Sequence, residues 1–265
     1  MRILSLGAGV QSTALLLMAD AGELGPKPDH AIFSDTGWEP PAVYEHLDRL
    51  EEATSIPIHR VSAGNIREKT LDSKEGYRWA ALPFWTETPD GRAGPLRRMC
   101  TKEYKIEPIV KKTRELLGLA KRQRAAGKYK VEQWFGISID EASRMQPTGY
   151  SWMISRYPLI EKSMHREDCV TWLAKAGWDR PAKSACIGCP YHSDLYWREM
   201  KRERPEEWQQ AVEFDKDIRT GLRGVSNLAY IHRSLQPLDE VDLRTREDHG
   251  QINMFIEECS GMCGV

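Results

Sequence analysis

The run Arg2-Ile3-Leu4-Ser5-Leu6-Gly7-Ala8-Gly9-Val10-Gln11-Ser12-Thr13 constrains this chain more than any other. Arg2 to Leu6 reads as a short buried strand, and Ser12 to Ala21 as a helix with an apolar face. Two glycines and two serines fill the handover between them. The pattern then repeats. His30 to Asp35 is a second strand broken by Thr36-Gly37, Pro40 to Thr54 a helix with proline at its start, and Ile58 to Val61 a third strand. Strands alternating with helices of this length predict a parallel sheet with helices on both faces. Such sheets take ligands outside the carboxyl ends of their strands. Gly7-Ala8-Gly9 and Asp35-Thr36-Gly37 both fall at such ends and are expected to face one pocket.

Beyond residue 62 the periodicity loosens. Ser73 to Arg97 mixes Gly, Pro and aromatics and reads as a long loop over the site. Thr101 to Gly118 reads as a helix, Val131 to Ile137 as a strand, and Tyr157 to Ile160 leads into a helix from about Arg166 to Ala176. The composition changes near residue 180, where Cys186-Ile187-Gly188-Cys189-Pro190 opens a charged, Trp-bearing helical region. The expected division is a nucleotide-binding domain over 1–180 and a cysteine-bearing helical region over 181–265.

Of the 265 residues, 40% are hydrophobic and 29% charged, enough apolar matter for a real core. The net charge of −1 gives the whole molecule no bias toward polyanions, so any basic patch must be local. No segment approaches the roughly 20 apolar residues of a membrane helix, and no membrane association is expected. The start lacks the charged and apolar regions of a signal peptide, which gives the expectation of a cytoplasmic protein. In that compartment the six cysteines read as metal ligands or redox groups rather than disulfides.

A Gly-rich turn between strand and helix is suited to anions: the first helical N–H groups lack partners, the helix dipole favours negative charge, and glycine lets the backbone approach closely. The turn is not a Walker A loop and not the three-glycine dinucleotide fingerprint. A tight turn without a ligand is the plainer alternative. Asp35 could hold ribose or magnesium, or simply cap its own turn. Lys102 and Lys105 flank the start of the 101–118 helix, where a phosphate or sulfate would be welcome. Glu141 and Arg144 follow a strand end and could equally be a surface pair. Residues 111–130 carry eight Lys or Arg and one acid, Glu115. This run could take a nucleic-acid backbone, or be a solvated face.

Cys186 and Cys189 are spaced to place two thiolates on one metal, zinc or iron–sulfur, with two inert thiols as the alternative. Cys100 stands directly before a helix start, a setting that lowers a thiol pKa. Cys169 lies on an apolar helix face and reads as core. Cys259 and Cys263 fall in a Gly-containing tail, where nucleophile, resolving thiol and metal ligand compete.

"SLGAGVQSTALL" (residues 5–16) followed by "IFSDTGWEPPAVYEHLDRL" (32–50) resembles the phosphoadenylyl sulfate (PAPS) reductase family, within the wider group of PP-loop, adenine nucleotide alpha-hydrolase-like proteins. "CTKEYKIEP" (100–108), "GISIDEASR" (136–144) and "YPLI" (157–160) extend the match in the family's order over roughly residues 1 to 175. There are departures. Against the pyrophosphatase loop Ser-Gly-Gly-x-Asp-Ser this chain has Gly7-Ala8-Gly9-Val10-Gln11-Ser12, and the tail keeps Glu258-Cys259 without the reductase's final histidine.

The resemblance implies a Rossmann-like α/β fold and sulfur chemistry on an adenine nucleotide, PAPS or ATP. It implies that Ser5, Gly7, Gly9 and Ser12 cradle the anionic end, that Asp35 and Gly37 line the nucleoside, and that Lys105 and Arg144 offset charge. It also implies a [4Fe–4S] cluster, with zinc as the alternative, on Cys100, Cys186 and Cys189, with a fourth ligand such as Cys263. Cys259 is then the nucleophile, served by a thioredoxin-like carrier or another sulfur donor. Two rivals are an ATP-using sulfur-insertion enzyme acting on DNA or tRNA, releasing AMP and pyrophosphate, and a zinc-stapled nucleotide-binding module without catalysis.

Overall fold

The computed structural model describes residues 1–76, 79–125, 130–244 and 248. Cys259, Cys263 and part of the 111–130 run lie outside the described residues. In chain order the elements are β1 (Arg2–Leu6), α1 (Val10–Asp20), β2 (His30–Asp35), α2 (Pro41–Ala53), β3 (Ile58–Ser62), α3 (Ile66–Leu71), β4 (Trp85–Glu87) and β5 (Ala93–Pro95). A π-helical turn (Lys102–Ile106) leads into α4 (Glu107–Leu116), then β6 (Val131–Phe135), β7 (Met153–Arg156), α5 (Pro158–Glu161) and α6 (Arg166–Lys175). The remainder is α7 (Asp194–Glu203), α8 (Pro205–Ile218) and β8 (Ala229–Tyr230).

The chain divides into two compact units. The first comprises Met1–Ala63 and Tyr104–Ser184; the second comprises Gly64–Glu103 and the described residues from Ala185 onward. The second break falls close to the composition change near residue 180. The first was not anticipated, because Gly64–Glu103 groups with the cysteine-bearing region.

The first unit is a five-stranded parallel sheet in the order β3-β2-β1-β6-β7. This is the expected Rossmann-like α/β architecture. Alternating side chains of each strand feed two cores. Leu4, Phe33 and Trp134 face one side with Leu15, Leu16, Leu47 and Leu173 of the helices, while Ile3, Ile32 and Val131 face the other with Ile109. Helix α1 is buried over Val10–Ala19 rather than along one face. That suits its sequence, VQSTALLLMA, which offers no charged residue to put in water. Proline at the starts of α2 and α5 costs nothing there, since those N–H groups have no intrahelical partner.

In the second unit Ser73 to Arg97 is not a structureless loop. It contributes the antiparallel strands β4 and β5, and β8 joins them in the order β5-β4-β8. Helices α7 and α8 pack on each other, with the Trp197 and Trp208 rings in edge contact. The organising group is Asp215, whose side chain is 1% exposed. Its carboxylate accepts from the Ile231 N–H at 2.8 Å and the Leu238 N–H at 3.1 Å, and pairs with Arg219. A buried carboxylate satisfied in this way becomes costly to remove, because two amides and a guanidinium lose their acceptor together. Asp215→Ala is therefore expected to destabilise the protein by about 3–5 kcal/mol, measured by urea unfolding; a change within about 0.5 kcal/mol, as at an ordinary surface site, would contradict this account.

Candidate functional site

In the first unit the strand order reverses at β1, whose neighbours are β2 on one side and β6 on the other. The crevice of an open parallel sheet lies at such a reversal, outside the strand ends. Leu6 ends β1, so Gly7-Ala8-Gly9 occupies that place. Ala8 is buried and held at φ +56°, a left-handed conformation that alanine adopts only under constraint. The Ser12 hydroxyl closes the turn from inside, accepting the Gly9 N–H at 3.2 Å and donating to the Gly9 carbonyl at 3.2 Å. No acidic residue occupies the first turn of α1. A Cβ built on Gly9 would meet nothing within 4 Å, so the space above this helix start is open to a ligand group.

The turn is also braced from below. A Cβ on Gly136, just past β6, would lie 2.8 Å from both Cα and N of Ser12. Only glycine lets the two backbones approach this closely. Within the sheet, Gln133 donates from Nε2 to Ser5 Oγ at 2.7 Å, so the Ser5 hydroxyl has a partner on β6.

Arg144 belongs to a charged network around Gln11. Gln11 Nε2 donates to Glu141 Oε2 at 2.9 Å, and Gln11 Oε1 accepts from Arg166 Nη1 at 3.1 Å. Glu141 pairs through its other oxygen with Arg144 Nη1, and the Arg166 N–H donates to Asp140 at 2.9 Å. The Nε of Arg144 is buried and has no hydrogen-bond partner among the described residues. The result is two guanidiniums tied to the first turn of α1 through one glutamine. Arg144 was singled out in the sequence; Gln11, Arg166, Ala8 and Gly136, which meet around the same turn, were not. Gln11 alone carried a local signal, because it stands where the pyrophosphatase loop has its aspartate.

Asp35 ends β2. Its Oδ1 accepts the Gly37 N–H at 2.7 Å and the Tyr44 hydroxyl at 2.9 Å, with Gly37 at φ +71°. That is an Asx turn, the capping role weighed above. Burial, reinforced by the Asp35 carboxylate, pushes the Tyr44 phenol above its ordinary range, so it remains a donor. Lys105 lies half-buried in the π-helical turn, and the carbonyl of the adjacent Tyr104 accepts from Ser34 of β2 at 2.6 Å. Cys169 is buried, and desolvation aided by Asp140 and Asp168 pushes its thiol up to about 12, which fits a core residue. In the basic run Lys111, Lys121, Arg122 and Arg124 are exposed, while Arg114 caps the carbonyls of Ala120 and Gln123 at 3.2 and 2.6 Å.

The second unit holds the other cysteines. Cys186 and Cys189 are buried on one tight turn, with the Cys189 N–H donating to the Cys186 carbonyl at 3.1 Å. His192 secures it: Nε2 lies 2.9 Å from the Cys186 carbonyl, so that nitrogen carries the proton and donates. The His192 ring stacks on Tyr196 at 4.0 Å and meets the edge of Trp197 at 4.7 Å. Trp85 Nε1 donates to the Pro190 carbonyl at 3.1 Å, which ties β4 to the same turn. Cys100 is half-buried, and its N–H shares the Ala81 carbonyl with that of Met99. Among the described residues no three Cys, His, Asp or Glu side chains converge on a common metal position. No helix among the described residues is long and apolar enough to cross a membrane.

No family model and no curated protein matches the chain. Among solved structures it is similar to the crystal structure of PAPS reductase from Candida auris in its phosphate complex, at 14% identity over 68% of this chain and 74% of that one, with a TM-score of 0.42.

The close approach at Gly136 is directly testable. Gly136→Ala should lower stability by about 1–3 kcal/mol, because neither backbone can yield without shifting the start of α1. Thermal unfolding indistinguishable from the parent would show that the contact is not a constraint.

Proposed function

We propose that the α1 turn receives the phosphate or sulfate end of an adenine nucleotide, and that the chain acts on it in PAPS-reductase-like sulfur chemistry. The carrying observation is the open space over Gly9, at the start of a buried helix with no acid in its first turn. The first amides of α1 and the helix dipole supply attraction without a side chain. Arg144 and Arg166, linked through Glu141 and Gln11, add guanidinium charge beside them. The order of the five motifs in this sequence supplies the adenine and sulfur parts of the reading. Asp35 and Gly37 are proposed on the nucleoside side and Lys105 against the anion.

In this reading the Cys259 thiolate attacks the sulfur of the bound sulfate. An S–S bond forms, the bond from sulfur to the phosphate oxygen breaks, and the nucleotide phosphate leaves with that electron pair. A thiol of a thioredoxin-like carrier then attacks the Cys259 sulfur and releases sulfite, so two thiols become a disulfide as sulfur gains two electrons. Amides aimed at the leaving phosphate would stabilise its developing charge. An iron–sulfur centre on Cys100, Cys186, Cys189 and a fourth ligand such as Cys263 rests on the family resemblance, with only the Cys186–Cys189 pair supported by spacing, and no step here runs through it.

Gly9→Ala separates fold from function. Gly9 has φ −95°, open to any residue, and its added methyl would point into empty space. The variant should melt like the parent and bind PAPS at least roughly tenfold more weakly by calorimetry, about 1.4 kcal/mol; unchanged affinity would remove the turn from the site. The parent should release sulfite from PAPS and a thiol donor, and Cys259→Ser should not. Release of AMP and pyrophosphate from ATP would instead favour sulfur insertion.

The metal reading has its own test. Anaerobically purified protein should contain iron and acid-labile sulfide, with a broad visible absorbance lost in Cys186→Ser. Zinc without iron would replace the cluster by a structural metal.

A further inference from the structure

Past α8, the second unit turns through Ile231-His232-Arg233-Ser234-Leu235, and three side chains line up there with the first residue of α7. Asp194 Oδ1 lies 2.9 Å from His232 Nε2, and Ser234 Oγ lies 2.8 Å from His232 Nδ1. The Ser234 main-chain N–H donates to the same Nδ1 at 3.1 Å. That last bond fixes the proton. An N–H can only donate, so Nδ1 presents a lone pair, and in the neutral ring the proton is on Nε2, facing the Asp194 carboxylate. With no hydrogen on Nδ1, the Ser234 hydroxyl must be the donor in its own contact. The imidazole is therefore held in the tautomer of a general base, with its one lone pair shared between the Ser234 hydroxyl and main-chain N–H and its own N–H anchored on a carboxylate.

The surroundings agree with this arrangement. His232 is 5% exposed, whereas Ser234 is exposed. Arg233 Nη2 takes the second oxygen of Asp194 at 2.8 Å. Burial acts to raise the Asp194 carboxyl, but the His232 hydrogen bond and the Arg233 charge outweigh it and hold the group below its ordinary range, so Asp194 stays ionised. Leu235, immediately after the serine, sits at φ +57°, a conformation a leucine rarely adopts. The Leu235 N–H reaches back to the His232 carbonyl at 3.3 Å and closes the turn that presents Ser234.

We propose that Ser234 is a nucleophilic serine, with His232 as its base and Asp194 as the positioning residue, and that it accepts an acyl group from an activated carboxylic ester. As Ser234 Oγ bonds to the carbonyl carbon, its proton passes to His232 Nδ1, which gives up the bond it accepted from the Ser234 main-chain N–H. The ester C–O bond then breaks, the departing alcohol oxygen takes that proton, and an acyl-serine remains. Nothing is oxidised or reduced. The arrangement uses no residue of the α1 turn and stands whether or not a nucleotide binds there.

The test uses the full chain and p-nitrophenyl acetate, with acetylated sites mapped by peptide mass spectrometry. Ser151 and Ser226, both exposed, serve as internal references. Ser234 should be acetylated at least roughly a hundredfold faster than either, the lower end of what a positioned base contributes. Asp194→Asn and His232→Gln should remove that excess and leave Ser151 and Ser226 unchanged. Equal rates at the three serines in the parent chain would overturn the proposal without any variant. An excess that survives His232→Gln, in protein melting like the parent, would overturn it as well.

Discussion

The close contact between the end of β6 and the first turn of α1 is the constraint on which the first unit depends. Parallel strands β1 and β6 are hydrogen-bonded neighbours, so their carboxyl ends emerge side by side. The helix leaving β1 must begin where the chain leaves β6. Gly136 makes room for this by bringing no side chain to a point 2.8 Å from the Ser12 backbone. With α1 seated, its first amides are aimed out of the sheet and Ser12 can close the turn. Ala8 is then held left-handed by a helix buried over ten residues, Val10–Ala19. A local strain of this kind survives only where the surroundings over-determine it, and here the surroundings are the packing of α1.

The second unit is organised by polar groups rather than by one large sheet. Its three strands are two or three residues long and could not stand alone. Asp215 gathers the chain on either side of the Ser234 turn, through the amides of Ile231 and Leu238. Trp85 and His192 do the same for the cysteine turn by bonding the carbonyls of Pro190 and Cys186. Each of these links satisfies a backbone group that would otherwise be costly to bury. The region was expected from its composition to be helical, and helices are present. What ties its turns together is a set of single polar side chains, one acceptor and two donors, that composition does not reveal.

How much was readable from sequence follows from the range of the forces involved. β1, β2, β3 and α2 came out close to their observed bounds, because short apolar runs ended by turn residues and the 3.6 spacing of α2 are local signals. The glycine turn was found for the same reason. The strands β4 and β5 were missed: three residues leave no periodicity, and β4 pairs through Trp85 with Tyr230, far along the chain. Arg166 was missed because its partner Gln11 is 155 residues away. Asp194 and His232 are 38 apart, and neither stands in a recognisable motif. The grouping of Gly64–Glu103 with the C-terminal region belongs to the same class of fact. It is set by contacts between distant segments, whereas the composition changes only once.

Charge around the α1 turn is balanced in a way that bears on what it could select. Two guanidiniums alone would attract any anion and would also repel each other. Glu141 neutralises part of that charge while bonding both Gln11 and Arg144, and Gln11 passes the link to Arg166. In the proposed anion site, attraction would then depend on the amides of the turn and on the orientation of the fork rather than on net charge, in a molecule whose total is −1. Directional donors favour tetrahedral oxyanions that can meet several of them at once, because each bond to an ionised oxygen is worth more than a neutral one. Carboxylates, with two oxygens in a plane, would satisfy fewer.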